Sequence, residues 1–412
     1  MNQEWNNYIH LNPDLMRKCE QIKPVDVLVG VLCKDVENTI LNVLNVINEG
    51  LYRYFPEYKK VIVVSKGSSS DRTNESIDLF QPYNIIEKIV TEDITNSGKG
   101  AGVMTILEIA HELEAKCMVL MDGDLLSIKP VWVQTISNPI IYGRADLTVP
   151  YYIRDKYDGV ITNNLVYPFT RALYGLDIRQ PIAGEFALSR NLYEILREHP
   201  MFPPDFGVDL FIVTTAAAEE MVVKEGLFAL KIHESTTHYL EPEKYLIPMF
   251  RKVIGTMFEL AKYYENFWKN NEFLKHKSRY RKCFSQNPIP VMIDIEKMQK
   301  SFKTEYASVK KTIQKILSDN IMVELDTIIK NDINLDENLW VKIVYNFASY
   351  YKRIKIPSDQ YNLIDSLKTL WIGRFVSYAI ETKDMDINEA ESVIEKQAEV
   401  FEDNIDYLKS IY

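Results

Sequence analysis

An alternation constrains this chain more than any other feature. From residue 25 to about residue 233, short β-branched apolar runs alternate with segments whose apolar residues recur at i, i+3 and i+4. Residues 25–32, 60–64, 85–90 and 117–121 read as strands. Residues 37–54, the stretch after Asp71 and the stretch after Gly98 read as the helices between them. Strand–helix–strand repeats of this kind demand right-handed crossovers and a parallel sheet. Residues 146–152 give a further strand, 163–174 a helix, 181–189 a strand or loop, 208–219 a helix and 227–233 a late strand. A polar helical leader over 1–24, capped at Asn12-Pro13-Asp14, precedes them. From about Ile247 glycine becomes scarce and helical periodicity runs to the end. The expected organisation is an α/β domain over 1–250 and an α-helical C-terminal domain over 251–412.

Composition then removes whole classes of function. A net charge of −10 gives no broad attraction to nucleic acid. No apolar run approaches the roughly 18 residues that cross a bilayer, and the N-terminus lacks the basic-then-apolar order of a secretion signal. The four cysteines, Cys19, Cys33, Cys117 and Cys283, are widely spaced and include no CxxC. They read as reduced thiols in a cytoplasmic protein.

The chemistry concentrates where strands end. The run 117–121 stops on Asp122-Gly123-Asp124, a DxD motif. Two carboxylates there suit a divalent cation carrying phosphates, because hard cations take oxygen ligands; in a strand, i and i+2 point the same way. Lys99, in Gly98-Lys99-Gly100, opens a helix whose N-terminus favours anions, although the spacing matches neither a P-loop nor a dinucleotide fingerprint. Arg154, Asp158 and Thr162 follow a strand at four-residue intervals. They form either a plain i,i+4 ion pair or a cradle in which the guanidinium forks onto the carboxylate of a small hydroxy acid. Gln180-Pro181-Ile182-Ala183-Gly184-Glu185 places a glycine and an acid in one connection, and Asp209 begins an apolar helix. Of the two histidines near the last strand, His238 in Thr237-His238-Tyr239 is the better ligand candidate and His233 the other.

In this order these residues resemble the GT-A glycosyltransferases that build compatible solutes from glycerate: the mannosylglycerate, glucosylglycerate and glucosyl-3-phosphoglycerate synthases. The similarity runs from Val25 to about residue 255. It comprises the first strand, Ser65-Lys66-Gly67-Ser68-Ser69-Ser70-Asp71, GKG, DGD, QPIAGE, FGVD and the histidine of THYLEPEKYL. The helical tail, with LWIGRFVSYAIE, is more loosely similar to mannosylglycerate synthase.

The resemblance implies a nucleotide-sugar-binding GT-A fold with a mixed, mainly parallel sheet. It implies Mg²⁺ or Mn²⁺ ligated by Asp124 and His238. Asp122 would hold the ribose or the metal's waters, and Lys99 and Asp71 would belong to the nucleotide site. Gly184, Glu185 and Asp209 would face the transferred hexose. Arg154, Asp158 and Thr162 match the glycerate-holding positions. The phosphoglycerate enzymes carry an extra arginine two residues before the matching threonine, where this chain has Val160. The expected activity is therefore retaining transfer of glucose or mannose, from UDP-glucose or GDP-mannose, to the 2-hydroxyl of D-glycerate. No carboxylate announces itself as a covalent nucleophile, which points to front-face displacement assisted by the leaving phosphate. The alternatives are 3-phosphoglycerate or another small acceptor, or a nucleotide-sugar sensor without turnover. A homodimer through the tail is left open.

Overall fold

The computed structural model describes residues 11–95, 97–233, 242–272 and 287–412, with the backbone alone for 242–247. The chain divides into two compact units, Met1–Tyr152 with Gln180–Tyr245, and Ile153–Arg179 with Leu246–Tyr412.

The first unit opens with α1 (Pro13–Ile22), where Asn12 Oδ1 accepts the Leu15 amide at 2.8 Å. β1 (Val27–Cys33), α2 (Ile40–Tyr54), β2 (Lys60–Lys66), α3 (Thr73–Leu79), β3 (Ile86–Glu92), α4 (Lys99–Glu112), β4 (Cys117–Asp122), α5 (Pro130–Ile141) and β5 (Leu147–Ile153) follow. The chain then leaves for α6 (Tyr167–Tyr174) and returns with β6 (Phe186–Ser189), α7 (Arg190–Glu198), α8 (Val208–Ala218) and β7 (Val223–Leu230). The strand order is β3-β2-β1-β4-β6-β5-β7. β1 pairs parallel with β2 and β4, and β2 parallel with β3, whereas β6 runs antiparallel to both β4 and β5. This mixed, mainly parallel sheet is the architecture that the GT-A resemblance implies.

Burial explains the strand sequences. β1, β2 and β4 are covered on both faces, so they are near-continuous Val, Ile, Leu and Met rather than alternating. β3, at the sheet edge, mixes buried Ile86 and Ile89 with exposed Glu87 and Val90. Every residue from Gly100 to Ala110 of α4 is buried, which is why that helix is apolar on all sides. Two helices lie outside the sequence reading although their buried residues recur at helical spacing. α5 is rich in Val, Ile and Trp with Pro139 inside it, a strand-like composition. α7 is short, and its Ser189 cap accepts the Leu192 amide.

One detail at the end of β4 departs from the strand rule. The Gly123 amide donates to the Leu32 carbonyl at 2.9 Å and the strand stops at Asp122. Asp124 therefore lies in the following turn, and strand periodicity no longer relates its direction to that of Asp122.

The second unit is helical: α9 (Pro242–Tyr263), which begins at the junction, α10 (Glu265–Asn270), α11 (Ile295–Ile313), α12 (Asp319–Asn331), α13 (Glu337–Arg353), α14 (Pro357–Thr382), α15 (Ile387–Asp403) and α16 (Ile405–Ile411). Pro357 starts a helix, because the first position needs no N–H partner. Residues 153–179 belong to this unit. A π-turn at Thr162–Val166 runs into α6, whose fully buried Arg171 donates to Glu402 (2.9 Å to Oε1) and Glu395 (2.7 Å to Oε2) on α15. The Trp340 indole donates to the Asn164 carbonyl, and Gln397 to that of Asn163. Among the described residues, no helix is long and apolar enough to cross a membrane. Cys19, Cys33 and Cys117 are free and buried; Cys283 lies outside the described residues.

Candidate active site

β1 and β4 are neighbours, yet the chain runs from β1 outward to β3 before it returns to β4. Such a reversal opens a crevice beyond the carboxyl ends of the two strands, where open α/β sheets take ligands. Asp122 closes β4 at that point, in register with Leu32 of β1. α4 starts at the same end, with Gly98 as its cap at φ 140° and Lys99 as its first residue. A side chain at Gly100 would overlap the Pro203 carbonyl oxygen, so only glycine lets the first turn lie against Pro203-Pro204-Asp205. That loop leads straight into α8, whose first turn carries Asp209.

The three side chains meet as a result. Lys99 Nζ lies 3.0 Å from Asp122 Oδ1 and 3.0 and 3.1 Å from the two oxygens of Asp209. Burial pulls the Lys99 ammonium down, but the charges of Asp122 and Asp209 outweigh it and hold its pKa above the ordinary lysine range. Burial pushes the Asp209 carboxyl up, Lys99 draws it back and the charge of Asp122 adds to the rise.

A second buried pair adjoins the first. Gly184 has φ +97°, and a Cβ there would lie 2.5 Å from Asp122 Oδ2 and 3.2 Å from Lys231 Nζ. The next residue, Glu185, is fully buried. Its Oε2 accepts the Tyr152 hydroxyl at 2.7 Å, and Lys231 donates to its two oxygens at 3.0 and 2.8 Å and to the Ala183 carbonyl at 2.6 Å. Burial raises the pKa of Glu185; Lys231 opposes the rise and the charge of Asp122 adds to it. The sequence did not single out Lys231, since a lone lysine late in a strand reads as solvated. Only the partner buried opposite it shows its role.

Asp124 faces His233, with 3.6 Å between Oδ2 and Nδ1. An isolated antiparallel bridge between Leu125 and His233 brings their segments together. Two ligands each about 2.1 Å from one ion lie roughly 3 Å apart when adjacent and roughly 4 Å when opposite, so the pair fits a shared cation. No group of three or more such side chains occurs among the described residues. Mg²⁺ and Mn²⁺ sites commonly complete their shell with water and substrate phosphates. Fully ionised, Asp122, Asp124, Glu185 and Asp209 exceed Lys99 and Lys231 by two negative charges, the amount one divalent cation balances. His238, the expected ligand, lies outside the described residues.

The chain is similar to solved structures of glucosyl-3-phosphoglycerate synthase from Mycobacterium tuberculosis. One, in complex with Mn²⁺, UDP and phosphoglyceric acid, is 21% identical over 61% of this chain and 84% of its own, with a TM-score of 0.47. Another, with Mn²⁺, UDP-glucose and phosphoglyceric acid, is 21% identical over 61% of this chain and 86% of its own, with a TM-score of 0.46. A third, with Mg²⁺ and UDP, is 19% identical over 61% and 84%, with a TM-score of 0.45. No protein-family model matches the chain, and no curated protein matches it.

Of the residues singled out in the sequence, Lys99, Asp122, Gly184, Glu185 and Asp209 converge. Asp71 does something else in the structure. Its Oδ2 accepts the Glu37 amide at 3.0 Å, while its Oδ1 accepts the amide and hydroxyl of Thr73 at 3.0 and 2.6 Å. Both oxygens thus tie the approach to α2 onto the start of α3. Arg154, Asp158 and Thr162 belong to the second unit. Arg154 Nε lies 3.7 Å from Asp158 Oδ2. A Cβ at Gly159 would stand 3.1 Å from an Arg154 guanidinium nitrogen and 4.0 Å from Thr162 Oγ1, so a turn, not a helix face, gathers these side chains. Thr162 opens the π-turn, a distortion frequent at functional sites.

Proposed function

We propose that the chain is a metal-dependent, retaining hexosyltransferase that moves glucose or mannose from a nucleoside-diphosphate sugar to the 2-hydroxyl of D-glycerate. One observation carries this reading: Lys99 clamps Asp122 and Asp209 at the sheet's reversal point, in a site whose carboxylates exceed its ammonium groups by one divalent cation's charge.

Asp124 and His233 are the proposed holders of Mg²⁺ or Mn²⁺. When bound, the cation supplies Lewis-acid neutralisation of the negative charge that grows on the departing diphosphate. The protein's part is orientation. Asp122 and Asp209 are acceptors for sugar or ribose hydroxyls, and Lys99 fixes both carboxylates so that they need not reorganise as charge develops. Glu185, kept in place by Tyr152 and Lys231, gives the Gly184 backbone a rigid base against which the hexose can rest. Arg154 is the proposed fork for the acceptor's carboxylate, with Asp158 and Thr162 for its hydroxyls. Val160 is buried and apolar where a phosphorylated acceptor would ask for a cation, which favours unphosphorylated glycerate.

The test mixes purified protein with Mn²⁺ or Mg²⁺, UDP-glucose or GDP-mannose, and D-glycerate or 3-phosphoglycerate. Release of nucleoside diphosphate that depends on D-glycerate, with an α-linked product by NMR, is expected. Metal-dependent donor binding without release for any pair would leave the sensor reading instead.

A further inference from the structure

The first residue after β3 is Asp93, and neither the clamp nor the metal pair uses it. Its amide donates to the Lys66 carbonyl at 2.9 Å, and Ser65 Oγ donates to its Oδ1 at 2.5 Å. The Cβ position of Gly102, in the first turns of α4, lies 3.1 Å from the same oxygen. The carboxylate is thus wedged between the ends of β2 and β3 and the start of α4. Its other oxygen, Oδ2, accepts no hydrogen bond among the described residues, and Asp93 forms no ion pair there. It is only half-buried, and burial raises its pKa against the Ser65 hydrogen bond. Ser65 therefore fixes this carboxylate in place while its second oxygen stays open to a further donor.

Its place in the sheet suggests what that donor is. The carboxyl ends run in the order β3, β2, β1, β4. Under the transfer reading, on which this inference rests, the diphosphate lies at the β4 end beside Lys99 and Asp122. A nucleotide extended along the strand ends then carries its base toward β2 and β3, where Ser65 and Asp93 stand. A carboxylate only accepts hydrogen bonds. Uracil and guanine present a ring N–H at their pairing edge, whereas cytosine and adenine present a bare ring nitrogen there.

We propose that Asp93, pinned by Ser65, reads the donor's base and selects nucleotides with a ring N–H over those with a bare ring nitrogen. Four nucleoside diphosphates, UDP, GDP, CDP and ADP, are titrated into the full chain with Mn²⁺ by calorimetry. UDP and GDP are expected to bind roughly ten- to a hundredfold more tightly than CDP and ADP, the range of a charged hydrogen bond. In Asp93→Asn the carboxamide can donate to a bare ring nitrogen, so UDP and GDP weaken and the gap to CDP closes. Ser65→Ala, which frees Asp93 while leaving its charge, is expected to weaken UDP and GDP selectively and serves if the first variant does not fold. Equal binding of CDP and UDP by the natural protein, or an equal loss of all four in the variants, would overturn the assignment. Binding of none of the four would instead bring down the transfer reading beneath it.

Discussion

Replacing Lys231 by methionine tests whether the site's buried charges are held as described. Glu185 is fully buried, and Lys231 is its one cationic partner among the described residues, with Tyr152 as a neutral donor. Methionine keeps the aliphatic volume and removes the ammonium. Removing one member of a buried pair costs about 3–5 kcal/mol, because the other charge stays buried without compensation. For a unit of this size, about 2–4 °C of melting temperature goes with each kcal/mol, so the loss is roughly 6–20 °C. The pH dependence gives the sharper signature. The folded-state pKa of Glu185 already lies above its ordinary value because burial outweighs Lys231, and removal of Lys231 raises it further. The folded state then holds that proton more tightly than the unfolded state, so stability falls as pH rises from the ordinary carboxylate range through the folded value. The deficit of Lys231→Met against the natural protein is therefore largest above the folded-state value and shrinks toward the ordinary carboxylate range. Thermal unfolding followed by circular dichroism across that range reads it. A Lys231→Met, Glu185→Gln double variant recovers most of the loss at high pH, since neither charge remains. A deficit below about 1 kcal/mol that ignores pH, or a double variant no better than the single, would refute the account.

Two further outcomes are expected. Asp124→Ala and His233→Ala each weaken Mn²⁺ binding at least about tenfold, read by calorimetry or electron paramagnetic resonance with UDP present; unchanged binding in either variant would remove the metal from this pair. Gly184→Ala forces a Cβ to 2.5 Å from Asp122 Oδ2 at φ +97°, so it costs about 1–3 kcal/mol and lowers kcat/KM, measured by chemical unfolding and by diphosphate release.

The sheet was legible because burial on both faces writes itself as unbroken apolar runs, and its helices because one face does so at helical spacing. The clamp was legible residue by residue, since Lys99 follows a glycine at a helix start and Asp122 ends a strand. What joins them was not. Gly100 is needed because Pro203, a hundred residues on, lies against it. Lys231 matters because Glu185 is buried opposite. Asp71 carries the hallmark of a ligand-facing loop and spends both oxygens on neighbouring backbone and hydroxyl groups instead. Arg154, Asp158 and Thr162 keep a helical interval in sequence while their gathering depends on a glycine turn. In each case the deciding partner is remote in the chain, or the deciding geometry is a dihedral angle that spacing does not encode.

The stretch 153–179 has a consequence for anyone cutting this chain. It is spliced into the middle of the α/β unit's sequence, yet its Arg171 is neutralised by acids more than two hundred positions downstream. A stop codon near residue 250 would not release a self-sufficient α/β half. It would strand a guanidinium in a hollow whose counter-charges had been deleted. Dissection or grafting must therefore carry both segments together, and homologous recombination at a single crossover would mismatch them.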